Sequence, residues 1–308
     1  MTERRYNRAV RNTHRWIVNV LVLASFAIIG MYAVDEPQNN FRFAVIGDRT
    51  GGAQPQIYGR VWREVDLLHP DFVLNVGDTI EGREDDKAEE EWMAMRPIWA
   101  RYSHYPLYFT PGNHDVWSDF SRQVYEKETG NKSHYSFDYQ DAHFVVLDTA
   151  IPGTLDEGQL AFLEQDLEAN QGKEPTMVVF HHPFWLRGFR EEGDGFAFHR
   201  MMKKYGVDYV LSGHGHRFVR MVRDDIVYME VGSSGGNITG GLRNGEGFKD
   251  GRFYHWVWAD VRNGEVELTI KEIGGSMGAG RMFKSTDWDE DGPKFDTSDP
   301  AITYKPET

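Results

Sequence analysis

The sequence predicts an α/β protein in which a sheet with helices on its outer face packs on a second sheet. Three observations predict it. Apolar β-type runs alternate with segments of helical period through much of the chain, and strands dominate after Gly215. Five of these runs end alike, with an Asp, Asn or His just past the last apolar residue. Hydrophobic residues make up 40% of the 308 positions and aromatics 14%, a composition suited to a large buried core.

Residues 1–15 are polar and carry Arg4, Arg5, Arg8, Arg11 and Arg15, and residues 16–34 run without a charge. At about 1.5 Å per residue, a helix over that run would roughly cross a bilayer core. The Arg cluster would hold its start on the cytoplasmic side. The expectation is a single-pass transmembrane helix in the cytoplasmic membrane, with the rest of the chain extracytoplasmic (periplasmic or extracellular). Secretion after signal cleavage near Ser25-Phe26-Ala27 competes with it, although apolar Ile28 and Ile29 come directly after. Residues 1–40 thus read as an Arg-rich stub, anchor and linker, residues 41–273 as the folded domain, and residues 274–308 as an acidic, Gly/Asp-rich tail.

Within the domain, strands are expected at 41–46, 72–76, 106–110, 135–139, 143–147, 177–180 and 209–211. Helices are expected at 57–68, 84–100, 120–127, 156–170 and 196–204. Ile57, Val61, Val65 and Leu68 show the helical spacing, and Gln140-Asp141 marks a hairpin turn. Strands at 217–222, 226–231, 254–261 and 266–270 complete the pattern. In the tail, Asp287-Trp288-Asp289-Glu290-Asp291-Gly292 imitates a Ca²⁺ loop, but its twelfth position is Ser298 where a bidentate Glu is needed. A solvated acidic tail is the expectation.

The chain has no Cys, so disulfides and thiolate metal sites are excluded. Its net charge is −14, with 34 basic against 48 acidic residues. Such a surface offers no broad footprint for nucleic acid. A small phosphorylated substrate can still bind where divalent cations invert the local sign.

The strand-to-polar junctions are Val45-Ile46-Gly47-Asp48, Leu74-Asn75-Val76-Gly77-Asp78, Gly112-Asn113-His114-Asp115 after an apolar strand, Val178-Val179-Phe180-His181-His182, and Val210-Leu211-Ser212-Gly213-His214-Gly215-His216. In this order they resemble the calcineurin-like metallophosphoesterase family, in its purple acid phosphatase-like or cyclic nucleotide phosphodiesterase-like branch. The resemblance runs from about residue 41 to about residue 270. It implies an αββα four-layer sandwich with ligands on loops at the strand ends.

The resemblance also implies two divalent or trivalent transition-metal ions, Mn, Fe or Zn. Asp78 would bridge them, Asp48 and His216 would hold the first, and Asn113, His181 and His214 the second. A hydroxide activated by the ions would attack the phosphoryl group in line. His114 is implied as general acid and, with Asn113, as a substrate contact. Asp115 would orient His114 and raise its pKa. One departure stands out: the family usually has Asp-x-His in its first motif, and this chain has Asp48-Arg49-Thr50. A hydroxyl is a poorer ligand than imidazole, so the first position should be weaker, completed by water, or filled from elsewhere, with Gln54 and Gln56 near in sequence. Arg49 is either a phosphate contact or a surface ion pair.

The expected function is hydrolysis of a phosphate mono- or diester, with a small phosphorylated substrate or a phospholipid as partner. The alternative is a degenerate, non-catalytic phosphate- or metal-binding module. Among the remaining candidates, His182 either lines the pocket or is structural. His143 and His255 read as core residues, Trp117 and Trp185 as packing or pocket mouth, and residues 232–236 as a tight turn beside the site.

Overall fold

A computed structural model of the chain describes residues 39–238, 251–273, 282–284, 288–289 and 292–293. The chain divides into two units, Met1–Gln38 and Asn39–Thr308, and all described residues lie in the second. The expected membrane span over residues 16–34 and most of the acidic tail lie outside the described residues. Among the described residues, no helix is long and apolar enough to cross a membrane.

Two six-stranded sheets form the centre. In the first, β1 (Asn40–Ile46), β2 (Phe72–Asn75) and β3 (Leu107–Phe109) run parallel. On the other side of β1 lie β10 (His255–Arg262), β11 (Glu265–Glu272) and β12 (Met282–Lys284), each antiparallel to its neighbour. The second sheet has the order β4-β5-β6-β7-β9-β8. Here β4 (Tyr135–Tyr139) is antiparallel to β5 (Ala142–Val146), which runs parallel to β6 (Thr176–Val179), β7 (Tyr209–Ser212) and β9 (Ile226–Val231). The antiparallel edge is β8 (Phe218–Arg223). The parallel strands β2 and β6 are buried on both faces, which is why they read as unbroken apolar runs rather than as an alternation.

The sheets meet through Phe41, Phe43, Phe72, Phe144, Val179 and Met229. Phe43 stacks on Phe72 with centroids 4.9 Å apart, and Phe137 on Phe144 at 4.8 Å. Against the outer face of the first sheet pack α1 (Ile57–Leu68), α2 (Asp85–Arg101) and α3 (Asp119–Thr129), burying Trp62, Trp92 and Tyr125. Against the second pack α4 (Glu157–Ala169), α5 (Phe184–Glu192) and α6 (Ala197–Tyr205), burying Leu163, Trp185 and Met202. The layers are therefore helix, sheet, sheet, helix, as expected.

Helix α5 is not among the helices expected from the sequence. Pro183 at its N-cap and Gly188 inside it look like breakers. Gly188 is there for space: a Cβ would lie 2.4 Å from the Phe196 ring. Trp185 is fully buried and its Nε1 donates to the Ser212 hydroxyl at 3.1 Å, so it packs the core rather than the pocket mouth.

Candidate metal centre

The parallel strands end on one side of the sandwich, and the motifs come directly after them: Asp48 after β1, Asp78 after β2, Asn113 after β3, His181 after β6, and His214 and His216 after β7. Sites in α/β sheets gather at these carboxyl ends. Four of these residues take left-handed backbone angles, with φ of 50° at Asp48, 58° at Asp78, 81° at His214 and 51° at His216. Such conformations cost energy in a non-glycine residue and persist where the surroundings enforce them. Gly112 lets two of the loops meet, because a Cβ there would lie 2.2 Å from Asp78 Oδ1.

The side chains converge into two groups, Asp48–Asp78–His216 and Asp78–His181–His214, in each of which the ligand atoms lie within 4.8 Å of one another. Asp78 belongs to both. Asn113 joins the second group, its Oδ1 lying 2.9 Å from His214 Nδ1. The structure thus brings together all six residues expected to bind metal, in the two expected sets.

Ring orientation comes from the main chain. His181 Nδ1–H donates to the Val76 carbonyl at 2.9 Å, and His216 Nδ1–H donates to the Asn237 carbonyl at 2.9 Å. Each bond turns the ring so that Nε2 faces the carboxylates, the usual support of a metal-binding histidine. His181 Nε2 is 3.2 Å from Asp78 Oδ2, and His216 Nε2 is 3.6 Å from Asp48 Oδ1. The His214 backbone N–H donates to Asp48 Oδ1 at 2.8 Å, and that of His114 to Asp78 Oδ1 at 3.0 Å.

Asp48 Oδ2 is buried without a hydrogen-bond partner and His181 Nε2 has only the Asp78 carboxylate beside it, a costly condition for polar atoms. A cation would relieve both, and hard oxygen with imidazole nitrogen suits a transition metal. The electrostatics agree. Burial alone would push the His181 imidazole down, yet Asp78 and Asp48 beside it raise it to about 10. Burial pushes the Asp48 carboxyl well above its ordinary value. His214 is pushed down to about 3 by burial and by the neighbouring His181.

The expected partnership of Asp115 with the His114 ring is not what the structure shows. Asp115 is fully buried, and its carboxylate accepts the N–H groups of Thr79 (2.7 Å), Ile80 (3.2 Å) and Gly112 (3.0 Å). Burial and the charge of Asp78 raise it to about 7. Its oxygens are committed to binding the Asp78 loop to the Gly112 loop. The His114 ring is held instead by the Glu81 carbonyl at Nδ1 and by Arg83 Nη2, 3.0 Å from Nε2.

Arg49 also departs from both expectations. Its Nη1 donates to the Thr79 carbonyl at 2.8 Å and its guanidinium lies over the Tyr58 ring, so it braces the Asp48 loop against the Asp78 loop. Glu81 does the same from the other side, its carboxylate accepting the N–H groups of Gly52 and Ala53. Sequence reasoning missed Glu81 and Arg83, which stand close after Gly77-Asp78 but merge into the charged start of α2. The turn at residues 232–236 wraps Asp48 as expected, with Gly236 N–H and the Ser233 hydroxyl both donating to the Asp48 carbonyl. The His182 ring lies beside that of His214, tilted by 41° with centroids 4.1 Å apart.

A model of the calcineurin-like phosphoesterase family matches residues 41–218, the stretch that carries every one of these ligands. The chain belongs to that family. It is 28% identical over 185 residues to purple acid phosphatase 23 of Arabidopsis thaliana, covering 50% of this chain and 40% of the relative. It is 28% identical over 207 residues to human acid phosphatase type 7, covering 58% and 47%. The chain thus spans less than half the length of these curated relatives. Among solved structures, a purple acid phosphatase from yellow lupin superposes with a TM-score of 0.56 at 15% identity, over 80% of this chain and 53% of that one. GAP50 of Plasmodium gives 0.56 at 14% identity, over 84% and 90%. These likenesses show the fold. Family and relatives together support a metal-dependent phosphoesterase.

Proposed function

We propose that this protein hydrolyses a phosphate mono- or diester at a two-metal centre held by Asp48, Asp78, Asn113, His181, His214 and His216. The observation that carries the reading is the membership of Asp78 in both ligand groups. A carboxylate shared in this way could serve a cation in each group. When bound, such a pair supplies a nucleophile at neutral pH and neutralises charge on the phosphoryl oxygens.

The residues around it have definite tasks. Asn113 and His114 face the substrate from the β3 loop. In the neutral ring, Nδ1 donates to the Glu81 carbonyl, and Nε2 accepts from Arg83. For Nε2 to pass a proton to a leaving oxygen, Arg83 has to turn from the ring to the substrate and Nε2 has to take up a proton from solvent, so that the ring enters the step as imidazolium. The Arg83 guanidinium fork matches a phosphoryl group. His114 and Arg83 therefore act as a pair, one on the leaving oxygen and one on the charge. The same proposal keeps the domain extracytoplasmic, anchored or secreted, on the strength of the Arg cluster and the apolar run at residues 16–34.

The test is metal analysis of the purified full-length chain, paired with hydrolysis of an aryl phosphate monoester and diester. Turnover that depends on bound transition metal supports the reading. Absence of both metal and turnover after Mn²⁺ addition overturns it and leaves the non-catalytic binding module.

A further inference from the structure

We propose that Glu230 is a positioning residue for the metal centre: its buried carboxylate props the loop that carries His214 and His216 and fixes where the two imidazoles stand. The inference rests on the two-metal reading above. It assigns to that centre a residue that ligates nothing and lies in none of the strand-end motifs.

The surroundings of Glu230 are wrong for a lone acid. It belongs to β9, whose other residues are Ile, Val, Tyr and Met, and it is fully buried. Desolvating a carboxylate is costly unless polar contacts offset it, and an aliphatic side chain would pack the strand without that cost. Both Glu230 oxygens accept from Arg217 Nε at 3.3 Å, and Arg217 comes directly after His216. Gly215 lies against the same carboxylate, because a Cβ there would be 1.8 Å from Glu230 Oε1. The carboxylate therefore fills the space that a side chain at position 215 would take. It meets the loop at two points, at Gly215 between the ligands and at Arg217 just past them.

The loop is one that needs a prop. His214 and His216, on either side of Gly215, both hold left-handed backbone angles, which such residues adopt only where the surroundings enforce them. Their rings serve different ligand groups, His214 with Asp78 and His181, His216 with Asp48 and Asp78. The contact also reaches Asp48. The Arg217 carbonyl accepts the Gly232 N–H at 3.3 Å, and Cβ atoms on Gly213 and Gly232 would lie 2.5 and 2.6 Å from Asp48 Oδ2. Backbone at Gly213, Gly215 and Gly232 is thus packed against two carboxylates, those of Asp48 and Glu230. Removing Glu230 would free the loop to sink and would shift both imidazoles at once.

The experiment is equilibrium titration of the metal-free full-length chain with Mn²⁺ or Zn²⁺, alongside its melting temperature without metal. Glu230→Ala should weaken both equivalents together by about 10- to 100-fold. Glu230→Gln, which keeps the bulk and an acceptor oxygen, should recover most of that loss. Gly215→Ala drives a methyl group into the carboxylate and should give the same paired loss with Glu230 still present. Adding Glu230→Ala to it should then cost little more, since the two changes break one contact. Gly215→Ala decides the question if Glu230→Ala does not fold. A purely structural ion pair would lower the melting temperature of the metal-free chain and leave its metal affinity where it was. That result, a loss confined to one equivalent, or a Gln variant as impaired as the Ala variant would overturn the inference and leave the two-metal reading standing. Failure of the unaltered chain to bind metal would overturn both.

Discussion

The proposed metal-binding half of the site and its proposed proton-handling edge differ in what faces the reactive atoms. Asp48, Asp78 and His181 are almost fully buried, and the His181 and His216 rings are aimed by main-chain carbonyls of Val76 and Asn237. His114 sits half-buried at the edge, its Nδ1 also on a main-chain carbonyl, that of Glu81, but its Nε2 on the exposed Arg83 side chain. Groups that must hold charge in a fixed geometry are preorganised by backbone, which costs no rearrangement during reaction. A group that must meet changing partners keeps a side chain for company, and that side chain can let go. Backbone carbonyls brace the proposed ion positions, and one exposed side chain meets the proposed acid.

The sharpest way to break this contrast is at the shared carboxylate. Asp78→Asn removes a ligand from both positions, so metal content should fall towards zero and turnover should drop by at least about 10³-fold. Retention of two equivalents of metal would remove Asp78 from its bridging place. Next in size is His114→Ala, expected to slow substrates with poor leaving groups by about 10²- to 10⁴-fold. Good aryl leaving groups should suffer much less, and metal content should stay the same. Equal losses across a leaving-group series would show that the edge does not handle the proton.

Arg83→Ala should act more mildly, raising KM by about 10-fold through loss of a charge-assisted contact worth roughly 1.5 kcal/mol, with the count of bound ions unaltered. A change in that count would mean that edge and metal half are not separable. The smallest effect lies away from the site, at His143. Its buried ring binds Asp138 at 2.7 Å and Asp166 at 2.6 Å. Burial opposes the charged ring, but the two carboxylates outweigh it and raise its pKa. A raised histidine stabilises most below its ordinary value near 6.5 and loses that contribution as pH climbs through the folded value. The difference in melting temperature between the unaltered chain and His143→Gln should therefore shrink as pH rises above about 6.5.

The proposed metal half was legible in sequence because of where its residues stand. Each ligand comes after a strand of the buried sheets, and the end of an apolar run is visible without coordinates. The partners that aim the ligands were not legible. Val76 and Asn237 contribute carbonyl oxygens, which any residue type could supply. Asp115 stands next to His114 in the chain but points its oxygens at three amides across the loop. Arg83 is adjacent in space and lies in a stretch dominated by acidic residues. Helix α5 was not expected from the sequence, and the reason its Gly188 is tolerated, the Phe196 ring against it, is visible only in the packing. Motif order thus reports which atoms gather, and tertiary packing decides what each of them touches.

Each ligand group draws on both sheets. Asp48, Asp78 and Asn113 leave the first sheet, and His181, His214 and His216 leave the second. An ion bound in either position would therefore be a clasp across the seam of the sandwich, and prising the sheets apart would empty both positions together. Ligation then counts towards keeping the fold closed, by about 2.7 kcal/mol for each ion present at a hundredfold excess over its dissociation constant. Scarcity of metal would be felt as a looser seam as well as a slower reaction.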